Sequence, residues 1–136
     1  MKLHPHLNYG GNCEQAFRFY VQHLGGRITM LMRHGERAAL ANAPSGWDNA
    51  VLFARMTLGD SELLGNDVPP EHFQPMRSAY LSLAVDSTPE AERIYALLAE
   101  GGQVFMPMQE TFWAARFGML TDQFGVPWMI NCETPG

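Results

Sequence analysis

Ala16-Phe17-Arg18-Phe19-Tyr20-Val21-Gln22-His23-Leu24-Gly25-Gly26 decides the fold, because the chain says nearly the same thing again seventy-odd residues later. Ala91-Glu92-Arg93-Ile94-Tyr95 repeats the pattern A-x-R-x-Y and is likewise followed by a glycine pair, Gly101-Gly102. Each copy is preceded by a short apolar run suited to a strand, Leu3 to Tyr9 and Ala79 to Val85. Matching order as well as matching residues points to a duplicated unit.

Each copy reads as an amphipathic helix. In the second, Asp86, Ser87 and Thr88 offer capping oxygens, Pro89 suits a first turn, and Glu90 puts negative charge where the helix dipole favours it. Ala91, Ile94, Tyr95 and Leu98 then form one apolar stripe at helical spacing. In the first, Asn12 is the expected cap and Ala16, Phe19, Tyr20 and Leu24 the stripe. A glycine pair ends both helices, since glycine takes a left-handed conformation at little cost.

Strand-like segments follow each helix: Arg27 to Arg33, Ala50 to Leu58 and Glu62 to Gly65 in the first half, and Gln103 to Met108, Ala114 to Thr121 and Val126 to Cys132 in the second. Gly59-Asp60 and Phe124-Gly125 fall where hairpin turns belong. Both halves therefore read β-α-β-β-β, an α+β class built as a tandem repeat. The expected organisation is one domain over residues 1–136, with repeat 1 at about 1–66, a linker at about 67–78 containing Pro69, Pro70 and Pro75, and repeat 2 at about 79–132. Residues 41–49 read as a mobile loop.

Bulk properties narrow the function. Nine basic residues scattered among fourteen acidic ones, with a formal net charge of -5, exclude a nucleic-acid binder that relies on clustered Lys and Arg. No apolar run approaches the ~20 residues of a membrane helix, and the N-terminus lacks the apolar core of a signal peptide. Cytoplasm is the expected location. Cys13 and Cys132 lie far apart without a C-x-x-C spacing and are expected to be reduced thiols.

The tail is dense in rings. Gln109-Glu110-Thr111-Phe112-Trp113, then Arg116-Phe117-Gly118, then Asp122-Gln123-Phe124-Gly125-Val126-Pro127-Trp128-Met129-Ile130-Asn131, together with the opening Asn8-Tyr9-Gly10-Gly11-Asn12-Cys13, resemble the PhnB-like branch of the vicinal oxygen chelate superfamily of glyoxalases, bleomycin-resistance proteins and dioxygenases. The resemblance implies two curved sheets forming a cup, commonly completed by a second subunit, so a homodimer is expected. It also implies, for metal-dependent members, a divalent ion held by His, Gln or Glu on the first and last strands of each repeat. By strand position those places fall on Pro5 (or His4 or His6), Leu63 or Leu64, Tyr80 and Met129. Shifting the register by one offers Glu62, Ala79, Leu81, Trp128 or Ile130 and still assembles no ligand set. No cofactor is therefore expected, with a divalent metal as the alternative.

Two function classes remain. One is a binding or sequestering protein for a small molecule, with Tyr9, Tyr80, Trp113, Arg116, Phe117, Trp128 and Met129 as expected ligand contacts. The other is a metal-dependent lyase, isomerase, dioxygenase or transferase, for which Glu110 is the candidate proton-transfer group if burial raises its pKa, or else a salt-bridge partner of Arg116. Strand alternation requires that Phe112 and Trp113 face opposite sides, and likewise Trp128 and Met129. His4 and His6 are expected on one strand face. A methyltransferase using S-adenosylmethionine finds no support, because Gly10-Gly11 alone is not a glycine-rich cofactor loop.

Overall fold

The computed structural model describes residues 1–37 and 46–133. Residues 41–45 of the expected mobile loop lie outside the described residues. The chain divides into two compact units, Met1–Gln74 and Pro75–Gly136.

The first unit runs β1 (His6–Tyr9), α1 (Cys13–Leu24), β2 (Arg27–Arg33), β3 (Val51–Leu58) and β4 (Ser61–Asp67). Its sheet has the order β1-β4-β3-β2, with β1 parallel to β4 and the other pairs antiparallel. The second unit repeats the plan with β5 (Leu81–Ala84), α2 (Thr88–Ala99), β6 (Gln103–Gln109), β7 (Arg116–Thr121) and β8 (Pro127–Cys132), in the order β5-β8-β7-β6. The βαβββ repeat expected from the sequence is the fold of both halves.

In each unit the helix covers one sheet face, and a strand glycine makes room for a helix ring. A Cβ on Gly65 would come within 2.9 Å of the Phe17 ring, and one on Gly118 within 2.6 Å of Tyr95. Those contacts fix which residues lie beneath the helices. Beneath α1 are Leu7, Tyr9, Ala54, Met56 and Leu63; beneath α2 are Leu120, Trp128, Ile130 and Cys132. Burial of such side chains contributes roughly 1.5–3 kcal/mol each for the larger ones. The stripe of α1 is rotated from the expected one. Cys13, Ala16, Phe17 and Tyr20 are buried, while Phe19 and Leu24 are half-buried, because Gly65 leaves its space at Phe17.

The caps also differ. Of Asp86, Ser87 and Thr88, it is Ser87 that caps α2, its hydroxyl accepting from the Glu90 N–H at 3.3 Å. Asn12 makes no such bond; Asp67, at the end of β4, does the work. Its Oδ1 accepts from the Cys13 N–H at 2.9 Å and its Oδ2 from the Val51 N–H at 2.8 Å. Both cysteines are free and buried. Burial, and then the negative charge of Asp67 and Glu14, pushes the Cys13 thiol well above the ordinary thiol range, which leaves it a neutral core side chain.

Glu14 on α1 receives Arg33 from β2 through contacts of 2.7 and 2.8 Å and Arg18 at 2.9 Å. Partial burial alone would raise its pKa, but the two guanidinium groups outweigh burial and hold it below the usual carboxylate value of 4.5. A lowered folded pKa contributes stability above the unfolded value that is lost as pH falls through the folded one. Glu14→Gln is therefore expected to cost a few tenths to about 1 kcal/mol at neutral pH. In melts taken across pH, the gap between wild type and variant should close as pH falls from the usual carboxylate value of 4.5 through the lowered folded one; a gap that persists in acid would remove the ion pair as its cause.

Candidate functional site

Alternation along each strand leaves a second face that the unit's helix does not cover. In the second unit this open face carries Ser82 and Ala84 on β5, Met129 and Asn131 on β8, and Phe117 and Met119 on β7. Met106 on β6 stands opposite Met119, and Gln109 opposite Phe117.

Two rings from the β6–β7 connection extend this face. Phe112 and Trp113 lie outside the strands, so alternation does not separate them as expected. They meet edge to face with ring centroids 4.7 Å apart, and Trp113 meets Phe117 edge to face at 5.2 Å. Phe117 is 8% exposed, Trp113 47% and Phe112 96%. The connection is held by the Thr111 side chain, whose hydroxyl accepts from the Ala114 N–H at 3.1 Å. Asn131 is the direct cross-strand neighbour of Phe117, and its Oδ1 is shielded from solvent yet accepts no hydrogen bond among the described residues. Sequence reading missed Asn131, because an unsatisfied acceptor is a property of surroundings rather than of residue type.

The sequence-derived contacts separate into two groups. Trp113, Phe117 and Met129 are on or beside the open face. Tyr9, Arg116 and Trp128 are on the helix-covered faces instead. Tyr9 is 1% exposed, with its hydroxyl 3.4 Å from that of Tyr20. Trp128 is 3% exposed because the buried Asp122 carboxylate, which also accepts from the Phe124 and Val126 N–H groups of the last turn, takes its indole N–H at 2.9 Å. Arg116 pairs with Glu92 of α2, its Nε donating at 2.6 Å, so the salt bridge expected with Glu110 is made to a different carboxylate. Glu110 itself is exposed and follows β6, without the burial on which its proton-transfer role depends. Tyr80 is half-buried and immediately precedes β5.

The places read as metal positions divide between strands and the segments before them. His4 lies before β1 and pairs with Glu62 at 3.0 Å, whereas His6 begins β1 and contacts Asn66 Oδ1 at 2.6 Å. Leu63 is buried beneath α1 and Leu64 is on the opposite face. Among the described residues, no three His, Cys, Asp or Glu side chains gather as ion ligands. None of the helices described is long and apolar enough to cross a membrane.

Residues 1–131 match the family model described as 3-demethylubiquinone-9 3-methyltransferase. The chain is similar to Protein YjdN of Escherichia coli (strain K12), 36% identical over 139 residues that cover 96% of this chain and 95% of the relative. The crystal structure of protein PA1353 from Pseudomonas aeruginosa superposes with a TM-score of 0.88 at 41% identity, over 100% of this chain and 99% of that one. The PhnB protein from Bacillus cereus, at 23% identity, shares the fold with a TM-score of 0.82 over 97% of this chain and 99% of that one. By sequence and by fold, this chain belongs to the PhnB-like family described as 3-demethylubiquinone-9 3-methyltransferase, built on the glyoxalase/bleomycin-resistance plan.

Proposed function

We propose that the protein binds or sequesters a small, flat, amphipathic molecule on the open face of its second sheet. The observation that supports this is the edge-to-face run Phe112–Trp113–Phe117 beside the unsatisfied Asn131 Oδ1. Apolar walls with a few fixed polar groups are the usual composition of a ligand site. An acceptor kept from water needs a donor, so the favoured ligand carries a hydroxyl or N–H at the edge of its ring. Met106, Met119 and Met129 supply adaptable surface around it.

The methyltransferase named in the family's description is not carried to this chain. Gly10 backs onto the Phe73 ring, where a Cβ would come within 3.3 Å, and the first N–H of α1 is occupied by the Asp67 carboxylate. A nucleotide-like cofactor would want that helix start free for its own negative groups. The metal-dependent alternative would use an ion to stabilise an oxyanionic intermediate; at the positions where the family's ligands fall, this chain offers Pro5 (or His4 or His6), Leu63 or Leu64, Tyr80 and Met129, of which only the histidines are good ligands.

Thermal melts test the choice, since a ligand of the folded state raises its melting temperature by mass action. A shift with a hydroxylated aromatic compound and none with magnesium, manganese, nickel or zinc ions is expected. The opposite pattern would select a metal-dependent lyase, isomerase, dioxygenase or transferase. Trp113→Ala should weaken the aromatic ligand by roughly tenfold, while costing less than about 1 kcal/mol of stability because the ring is half exposed. A larger loss of stability than of binding would assign Trp113 to packing.

We also propose a homodimer in the cytoplasm. The edge strands β1, β2, β5 and β6 and the exposed Val104 and Phe105 are surfaces that a second copy would cover. Buried free thiols suit a reducing compartment. A solution mass twice 15.2 kDa at micromolar concentration is expected; a monomer would overturn the assembly.

A further inference from the structure

The open face of the first sheet carries Arg55, whose Nε–H has no hydrogen-bond acceptor among the described residues. One row of side chains crosses all four strands through the pairs His6 with Leu64, Leu64 with Arg55, and Arg55 with Met30. Arg55 thus has Leu64 on one flank and Met30 on the other. Its guanidinium makes no hydrogen bond or ion pair with any described residue, and its Nε is shielded from solvent with no acceptor. The Phe53 ring, 5.7 Å from Cζ, supports the planar group without satisfying its N–H. The polar neighbours are engaged elsewhere: Glu62 with His4, and Asn66 with His6. A guanidinium held on apolar and aromatic surface, with a desolvated donor, is matched by a planar oxyanion that takes two parallel N–H bonds.

We infer that Arg55, supported by Phe53 and flanked by Leu64 and Met30, is a binding site for the carboxylate of a small molecule with a flat apolar body. The carboxylate accepts from Nε and a terminal nitrogen, and the apolar body lies over Leu64 or Met30. This inference does not rest on the aromatic run of the second unit, which would take neutral compounds as well.

Naphthoate and its neutral counterpart naphthylmethanol, titrated into the full chain and followed by nuclear magnetic resonance, test it. Naphthoate should bind at least about tenfold more tightly than naphthylmethanol and should move the Arg55 Nε–H signal. Arg55→Met should erase that preference, and Arg55→Lys should keep part of it, since a point charge replaces a two-pronged donor. If Arg55→Met does not fold, the Nε–H signal of the wild type and the Lys variant decide. Equal binding of the two probes, a preference that survives in Arg55→Met, or no naphthoate binding would each overturn the site. Absence of naphthoate binding together with an altered solution mass of Arg55→Met would assign Arg55 to contact between copies. A fluorescence change with naphthylmethanol that is lost in Trp113→Phe reports separately on the second-unit site.

Discussion

Gly26→Ala and Gly102→Ala should each lower unfolding free energy by about 3 kcal/mol or more, the largest losses expected from any change of a single carbon. These are the second members of the two repeated glycine pairs. A Cβ on Gly26 would stand 1.9 Å from the Thr57 carbonyl oxygen, and one on Gly102 2.1 Å from that of Thr121. No rotamer can relieve a clash with backbone, so the first antiparallel pair of each unit, β2 with β3 and β6 with β7, must part where it begins. Gly25 provides the contrast. It has φ 91 and ψ -170, a conformation almost confined to glycine, but open space around a Cβ, so Gly25→Ala should cost about 1–3 kcal/mol for backbone strain alone. Urea unfolding of the three variants gives the ordering. If Gly25→Ala proves the most damaging, close approach of the strands is not what the second glycine serves.

Asp67→Ala is expected to cost about 3–5 kcal/mol, because it strips two buried N–H groups of a charged acceptor, each such bond contributing roughly 1.5–3 kcal/mol. One of those groups opens α1 and the other opens β3, so the carboxylate ties the helix start to the sheet. Asp67→Asn should lose about half as much, since one amide oxygen remains while the NH2 opposes a donor. Asn12→Ala should be close to neutral, its side chain making no capping bond. Chemical unfolding measures all three, and an Asn12→Ala loss equal to that of Asp67→Ala would return the cap to the local residue.

The paired outcomes show where sequence suffices. The cap of α2 was readable to within Asp86, Ser87 and Thr88 because the partner of Ser87, the Glu90 N–H, is three residues away. Asp67 was not, because Cys13 lies 54 positions off and nothing in either neighbourhood marks the pairing. The same separation explains Arg116, whose charge was plain but whose partner Glu92 is on a helix 24 residues earlier. It also explains the rotated stripe on α1: Phe17 and Phe19 are equally apolar, and Gly65 across the unit chooses between them.

Local chemistry by itself determined the order of elements, the repeat, the turns and the opposition of Trp128 to Met129, since helical and strand periods and glycine's backbone freedom act within a few residues. The tertiary structure decided which face of each strand the helices cover. That choice turned Tyr9 and Trp128 into core, left Phe117 and Met129 uncovered by α2, and left the Arg55 Nε–H and the Asn131 Oδ1 without a hydrogen-bond partner among the described residues. Burial and hydrogen-bond satisfaction are set by groups far away in the chain, and no run of neighbouring residues encodes them.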